Sequence, residues 1–359
     1  MGGIGMLARL DADAAALRLR LNGLTRQVST GLRAEAAGDL APQLPRAMAL
    51  RAELVRRETY GEAITGALGR TAVAQSALAR LGEIAGRFAG GAALKLGDAS
   101  LQAGDISLYA EEARQALVEV GTLLNARHEG DFLFAGSDAA NPPVPDPEGL
   151  PTGGMAAQVA AAVATLAGGG GTAVTVAAAT RAAATDDGAG VTPFSAFLSS
   201  ATGQAEPRRC VPAGDGLLVE YGLFANRNAG AASAGETTGS WARDLMRGLA
   251  SIAALTPAAQ AAAPAELAAL AGTIRDGLKS AAAAIADEQG GLGLTEARLE
   301  AARTRHAELG TTLEAQLAGI QEVDLAETLT RLQATRTALE ASYSAIGRIG
   351  SLSLVDFLR

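Results

Sequence analysis

The chain has 359 residues, enough for two or three ordinary domains. Its net charge of −8, with no cluster of Lys and Arg, argues against the basic footprint of a nucleic-acid binder. It is 48% apolar yet holds only 1 Trp, 4 Tyr and 7 Phe, and its 2 His and 1 Cys leave little for a metal centre, a nucleophilic thiol or imidazole acid–base work.

The N-terminal residues have no basic region ahead of a long apolar core, so no cleavable secretory signal is expected. Leu7, Leu10, Ala14, Leu17, Leu21, Leu24 and Val28 alternate steps of three and four, which is a heptad seam. Three heptads make an apolar stripe roughly 32 Å long, and such a stripe requires a partner helix. Pro42 and Pro45 predict a loop near residues 35–45.

A second helix is predicted from Arg46 to Phe88, with Ile64, Ala67, Thr71, Ala74, Leu78, Leu81, Ala85 and Phe88 in register. Gly90, Gly91, Gly97 and Asp98 form a corner, and Ile106, Tyr109, Ala113, Leu117, Val120 and Leu124 line a third helix antiparallel to the second. Asp131 to Gly136 is short, aromatic and bounded by glycine, and reads as a strand. Over residues 141–240 glycine and threonine rise and helical periodicity fades. Strands are expected at Thr172–Val176 and Leu217–Phe224, in a middle domain of mostly β structure and loops. The uncharged stretch from Gly149 to Thr180 is too rich in Ala and Gly for a membrane span, and no membrane insertion is expected.

Helical periodicity returns at Trp241, and Pro264 suits the first turn of another helix, which Gly290 and Gly291 are expected to end. From Thr295 to Ile349 the pattern is helical again. One register ends at Val323, and a second takes up Leu325, Leu329, Leu332, Arg336, Leu339, Tyr343 and Ile346, predicting a break near Asp324. Leu352, Leu354, Phe357 and Leu358 crowd the last eight positions. Large apolar side chains at a chain end call for a partner surface.

His128 and His306 stand far apart without neighbouring ligands and read as surface helix residues. Cys210 has no histidine base near it in sequence, Asp186-Asp187-Gly188 lacks the following ligands of a calcium loop, and Gly168 to Gly171 precede no Lys-Ser/Thr pair. The expected fold is mainly α with a small β-containing insert, the terminal helices paired as a hairpin. No catalytic, cofactor-binding or metal site is expected, and no cofactor. Periodicity alone leaves open whether the terminal seams meet within one chain or between copies. Because two short seams are marginal in water, the ends are expected to order only as copies pack.

Two segments carry a resemblance. Ile320-Gln-Glu-Val-Asp-Leu-Ala-Glu-Thr-Leu-Thr-Arg-Leu332, with Ala338 to Tyr343 and Ser351 to Leu358, resembles the C-terminal signature of the bacterial flagellin superfamily, and Leu24 to Arg33 is similar to that family's opening motif. Leu124-Asn-Ala-Arg-His-Glu-Gly-Asp-Phe-Leu-Phe-Ala-Gly136, followed by prolines, resembles the Asn-containing helix end and aromatic hairpin of its hook–filament junction branch. Gly38-Asp39-Leu40-Ala41-Pro42 departs from the family's two adjacent acids and proline.

The resemblance implies an extracellular, secreted structural subunit of the flagellum, exported by the type III apparatus with an export chaperone. Its implied partners are copies of itself, hook-associated protein 1 and filament flagellin. Residues 1–44 and 315–359 would form a terminal assembly domain, 45–140 and 241–314 a helical rod domain, and 141–240 a variable outer domain. The assembly interface would comprise Leu10, Leu17, Leu21, Leu24, Val28, Leu325, Leu329, Leu332, Leu339, Tyr343, Ile346, Leu352, Leu354, Phe357 and Leu358. Filament flagellin is the near alternative, and a cytoplasmic coiled-coil adaptor or signalling module the alternative from another class.

Overall fold

The structure, a computed structural model, describes residues 2–33, 43–98, 101–228 and 237–357, with side chains from residue 8 to residue 348 among them. In chain order the elements are α1 (Gly2–Thr30), α2 (Leu44–Gly90), α3 (Ala92–Leu96), α4 (Ala103–Leu124), β1 (Arg127–His128), β2 (Asp131–Phe132), α5 (Gly154–Ala167) and α6 (Ala173–Thr185). They continue with α7 (Ala196–Ser199), α8 (Ala201–Ala205), β3 (Cys210–Gly214), β4 (Leu217–Glu220), α9 (Trp241–Ala253), α10 (Pro257–Ala262), α11 (Pro264–Gln321) and α12 (Leu325–Phe357). Of the described residues 73% are helical, with a few short antiparallel strands, the mainly α fold with a small β insert that the sequence predicts.

Two compact units divide the chain, residues 1–59 with 305–359 and residues 60–304. In the first unit α1 packs against α12. Beside them, Ala47 and Leu50 of α2 bury against Ile320 of α11, with Leu313 and Leu317 flanking. His306 is buried in this unit with Nδ1 3.4 Å from Nη1 of Arg57, so it is not the surface residue its sequence context suggests.

In the second unit a single large core joins α2, α4, α5, α6, α9 and α11. At its centre lies α9, where every residue is buried, including Arg243, Asp244 and Arg247. The arginines stay satisfied by reaching α6, Arg243 at its end and Arg247 at its middle. Arg243 donates to the Ala184 carbonyl at 2.8 Å and pairs with Asp187 at 2.7 Å, and Arg247 donates to the Ala177 carbonyl and the Thr180 hydroxyl. The Ala184 carbonyl, in the last turn, has no partner within the helix, so the buried Arg243 guanidinium is well matched to it. Asp244 accepts from Thr237 Oγ1 and, at 2.7 Å, from the Thr238 backbone N–H. Burial still pushes its carboxyl above the usual range.

Asn125 closes α4 and clamps the proline-rich segment. Its side chain donates to the Val144 carbonyl at 2.7 Å and accepts from the Val144 N–H at 3.0 Å. The chain then turns through Glu129 and Gly130, both with positive φ, which is the backbone that a two-residue hairpin demands. Asp131 on β2 takes a hydrogen bond from Arg70 at 2.5 Å, and Arg209 stands 3.6 Å away. The Arg70 bond holds the Asp131 carboxyl below its ordinary value.

Five local expectations change. The middle segment is not mostly β, because α5 and α6 occupy much of it and its strands are confined to the β3–β4 hairpin. The strand expected at Thr172–Val176 is the start of α6. Thr172 caps that helix by accepting from Thr175 N–H, and the alanine run behind it outweighs the β preference of Thr and Val. The strand expected from Asp131 to Gly136 is only Asp131–Phe132, and the one expected from Leu217 to Phe224 stops at Glu220. Beyond these short strands Ala135 and Phe224 share one bridge. Finally, α11 runs on through Gly290 and Gly291 to Gln321, and Leu292, directly after them, is buried in the core. The break near Asp324 falls where predicted, and Pro264 does begin α11.

Candidate assembly surface

α1 and α12 pair as an antiparallel hairpin. Where α1 ends and α12 begins, the Val323 N–H donates to the Gly31 carbonyl at 3.0 Å, and the Arg33 N–H donates to Gln321. Farther along, Arg18 of α1 donates to the Tyr343 hydroxyl and lies over its ring, 5.0 Å from the centroid. The single chain therefore already pairs its terminal helices. The terminal seams, whose partner periodicity leaves open, meet within the same molecule.

The heptad of α1 points as its sequence predicts. Ala14 and Leu24 are buried, and Leu10, Leu17, Leu21 and Val28 are half-buried. In α12 the facing residues are Leu339, buried, and Leu332 and Ile346, half-buried. Beside them runs a row of hydroxyls, Thr328 and Thr335 buried and Ser342 half-buried. Each hydroxyl donates to the carbonyl four residues back, at 2.6 Å to Asp324, 2.7 Å to Arg331 and 2.9 Å to Ala338. These bonds make burial of the three polar side chains tolerable without any partner from α1.

That choice of face leaves another one open. At about 100° per residue, Leu329, Arg336 and Tyr343 form a row on the far side of the Leu332–Leu339–Ile346 row from the hydroxyls. Leu325 is 49% exposed, Leu329 47% and Tyr343 39%. The stripe predicted as one seam is thus split: Leu332, Leu339 and Ile346 meet α1, while Leu325, Leu329 and Tyr343 remain at the surface. Leu19 on α1 is 74% exposed. Of the remaining predicted residues, the side chains of Leu352, Leu354 and Phe357 and the whole of Leu358 lie outside the described residues.

Sequence reasoning missed the hydroxyl row, although Thr328, Thr335 and Ser342 recur every seven residues and mark a heptad face as plainly as leucines do. The flanking charges form exposed pairs one turn apart, Arg331 with Glu327 at 2.5 Å and Arg336 with Glu340 at 3.2 Å. Such pairs add solubility and little stability. Asp324 caps α12 by accepting from the N–H groups of Ala326 and Glu327.

Among the described residues no group of three or more His, Cys, Asp or Glu could hold a metal ion, and no helix is long and apolar enough to cross a membrane. What the arrangement offers is a partly wet apolar helix face beside a closed seam, which suits packing against another helix.

No curated protein matches the chain. Residues 276–358 match the protein family described as the bacterial flagellin C-terminal helical region, a structural and non-enzymatic family whose members self-assemble into flagellar polymers. That match takes in most of α11 and all of α12, including the exposed row, and is the feature that ties the chain to the bacterial flagellin superfamily.

Proposed function

We propose that this chain is a junction subunit of the flagellum, of the hook-associated protein 3 kind, that packs side by side with copies of itself through its terminal helices. The exposed leucines Leu325 and Leu329, on a helix that already pairs with α1, carry the reading. A helix that buries hydroxyls inward and leaves leucines outward is poorly used by the monomer and better used in a bundle. The assembly interface is then the α12 row together with Leu352, Leu354, Phe357 and Leu358. Leu10, Leu17, Leu21, Leu24, Val28, Leu332, Leu339 and Ile346 hold the hairpin that presents it.

In this reading residues 1–44 with 315–359 are the assembly domain, 45–140 with 241–314 the rod, and 141–240 the outer domain. The neighbours along the axis are hook-associated protein 1 and filament flagellin, and the route out is the type III apparatus with its chaperone. The junction branch is preferred to filament flagellin on the resemblance of Leu124 to Gly136, within which Asn125 holds the Val144 backbone. Counting subunits per flagellum tests the choice. A junction protein is present at about one ring per filament, and an abundance comparable to that of the filament protein would overturn the assignment.

A further inference from the structure

In the second unit α11 carries Gly290, Gly291 and Gly293 within four positions of a helix interior. Where this fold needs glycine the reason is visible: a Cβ at Gly154 would stand 1.9 Å from the Gly190 carbonyl oxygen. At Gly290 and Gly291 a Cβ would meet nothing within 4 Å, and at Gly293 only the Gln75 side-chain nitrogen at 3.9 Å. None of the three has positive φ. Each lowers the helix equilibrium about two- to five-fold relative to alanine, with no return in this conformation.

Their place in the core supplies the second observation. Leu292 is the last residue of α11 in the large core, whereas Leu299 and Ala302 belong to a separate cluster with Ile64 and Ala67 of α2 and Val211, Ala213 and Val219 of the β3–β4 hairpin. On α2 the same change of core falls between Ala67 and Ala74. On the large-core side of this change, Gln75 Nε2 donates to the Gln289 carbonyl at 2.9 Å, one residue before the glycines.

We propose that the glycines are a joint: the α2–α11 pair bends at Gly290–Gly293, and the cluster that carries the β3–β4 hairpin tilts as a body against the large core. Packed clusters resist deformation, so a bend concentrates where the core is interrupted and the helix is weakest. In an assembly, which rests on the function proposed above, the joint would let the rod follow its neighbours without breaking either core.

Distance measurement between two spin labels tests this on the full chain. The labels are placed by Leu218→Cys on the exposed face of the hairpin and Ala79→Cys on the exposed face of α2, with Cys210→Ser removing the native thiol. The protein with its native glycines is expected to give a broad or two-peaked distribution, and Gly290→Ala/Gly291→Ala/Gly293→Ala a single narrow one. Gly272→Ala, elsewhere in α11 and also with open space for a Cβ, should leave the distribution broad. Amide exchange over residues 290–297 should slow about 10- to 100-fold in the triple variant. If that variant does not fold, Gly291→Ala alone is expected to narrow the distribution partly. A single narrow distance with the native glycines, unchanged by the alanines, would overturn the joint. Whether the unlabelled parent protein polymerises is read separately and bears only on the assembly reading.

Discussion

Replacing Leu325 and Leu329 together by alanine separates the exposed row from the helix pair that presents it. Both side chains are about half exposed in the single chain. Full burial of a leucine is worth about 1.5–3 kcal/mol, so each has roughly 1 kcal/mol still to gain on packing against a neighbour. Losing about 2 kcal/mol per contact lowers association roughly 30-fold. The double variant should raise the critical concentration for polymerisation by that order, read by sedimentation. Its thermal unfolding, followed by circular dichroism, should stay close to that of the parent, because alanine preserves helix propensity and little burial is lost. Leu24→Ala and Leu339→Ala make the contrast. Both leucines are buried in the hairpin, and each change should destabilise the terminal pair by about 2 kcal/mol, the low end for a buried leucine in so thin a core. A double variant that polymerises at the parent's concentration, or that melts as early as Leu24→Ala, would refute the division of α12 into an inner and an outer row.

Other outcomes follow from the second unit. Asp244 has a folded pKa above its unfolded value, so its ionised form is penalised at neutral pH and the penalty is relieved as pH falls through the folded pKa. Urea titrations should show Asp244→Asn more stable than the parent at pH 7, with the difference shrinking on acidification; a constant difference would contradict the burial argument. Asp131 runs the opposite way. Its folded pKa is depressed by Arg70, so its contribution is present above the unfolded pKa and lost as pH falls through the folded one, and Asp131→Asn should remove that pH dependence. Glu129→Asn should stabilise the β1–β2 turn by about 0.5–1 kcal/mol, since asparagine accepts positive φ more readily, and a lower melting temperature would count against the turn assignment. Gly154→Ala, which drives a Cβ into the Gly190 carbonyl, should destabilise the unit by about 1–3 kcal/mol by the same titration.

The helices were legible where apolar spacing and punctuation agreed. Pro264 starts α11, Asp324 marks the break before α12, and the α1 heptad points inward along its length. The middle segment was not legible, because an alanine-rich helix has too few large residues to show a 3.6-residue period. In α5 and α6 the burial falls on Ala156, Val159, Val163, Ala173 and Val176, a mixture that reads locally as neither helix nor strand. The buried charges of α9 were hidden for another reason, since nothing in the sequence says that Arg243 and Arg247 end on carbonyls some sixty to seventy residues upstream. For the candidate surface, the leucines were visible in the sequence but not which of them α1 covers. That is decided by the self-satisfied Thr328, Thr335 and Ser342, whose hydroxyls let a polar row turn inward and rotate the leucines outward.

Immunogold electron microscopy of intact flagella tests the central claim most directly. Antibody against residues of the middle segment is expected to label a single short band where the filament meets the hook, and the band should vanish when Leu325 and Leu329 are both alanine. Gold along the whole filament, or none on flagella from cells that express the protein, would contradict the account.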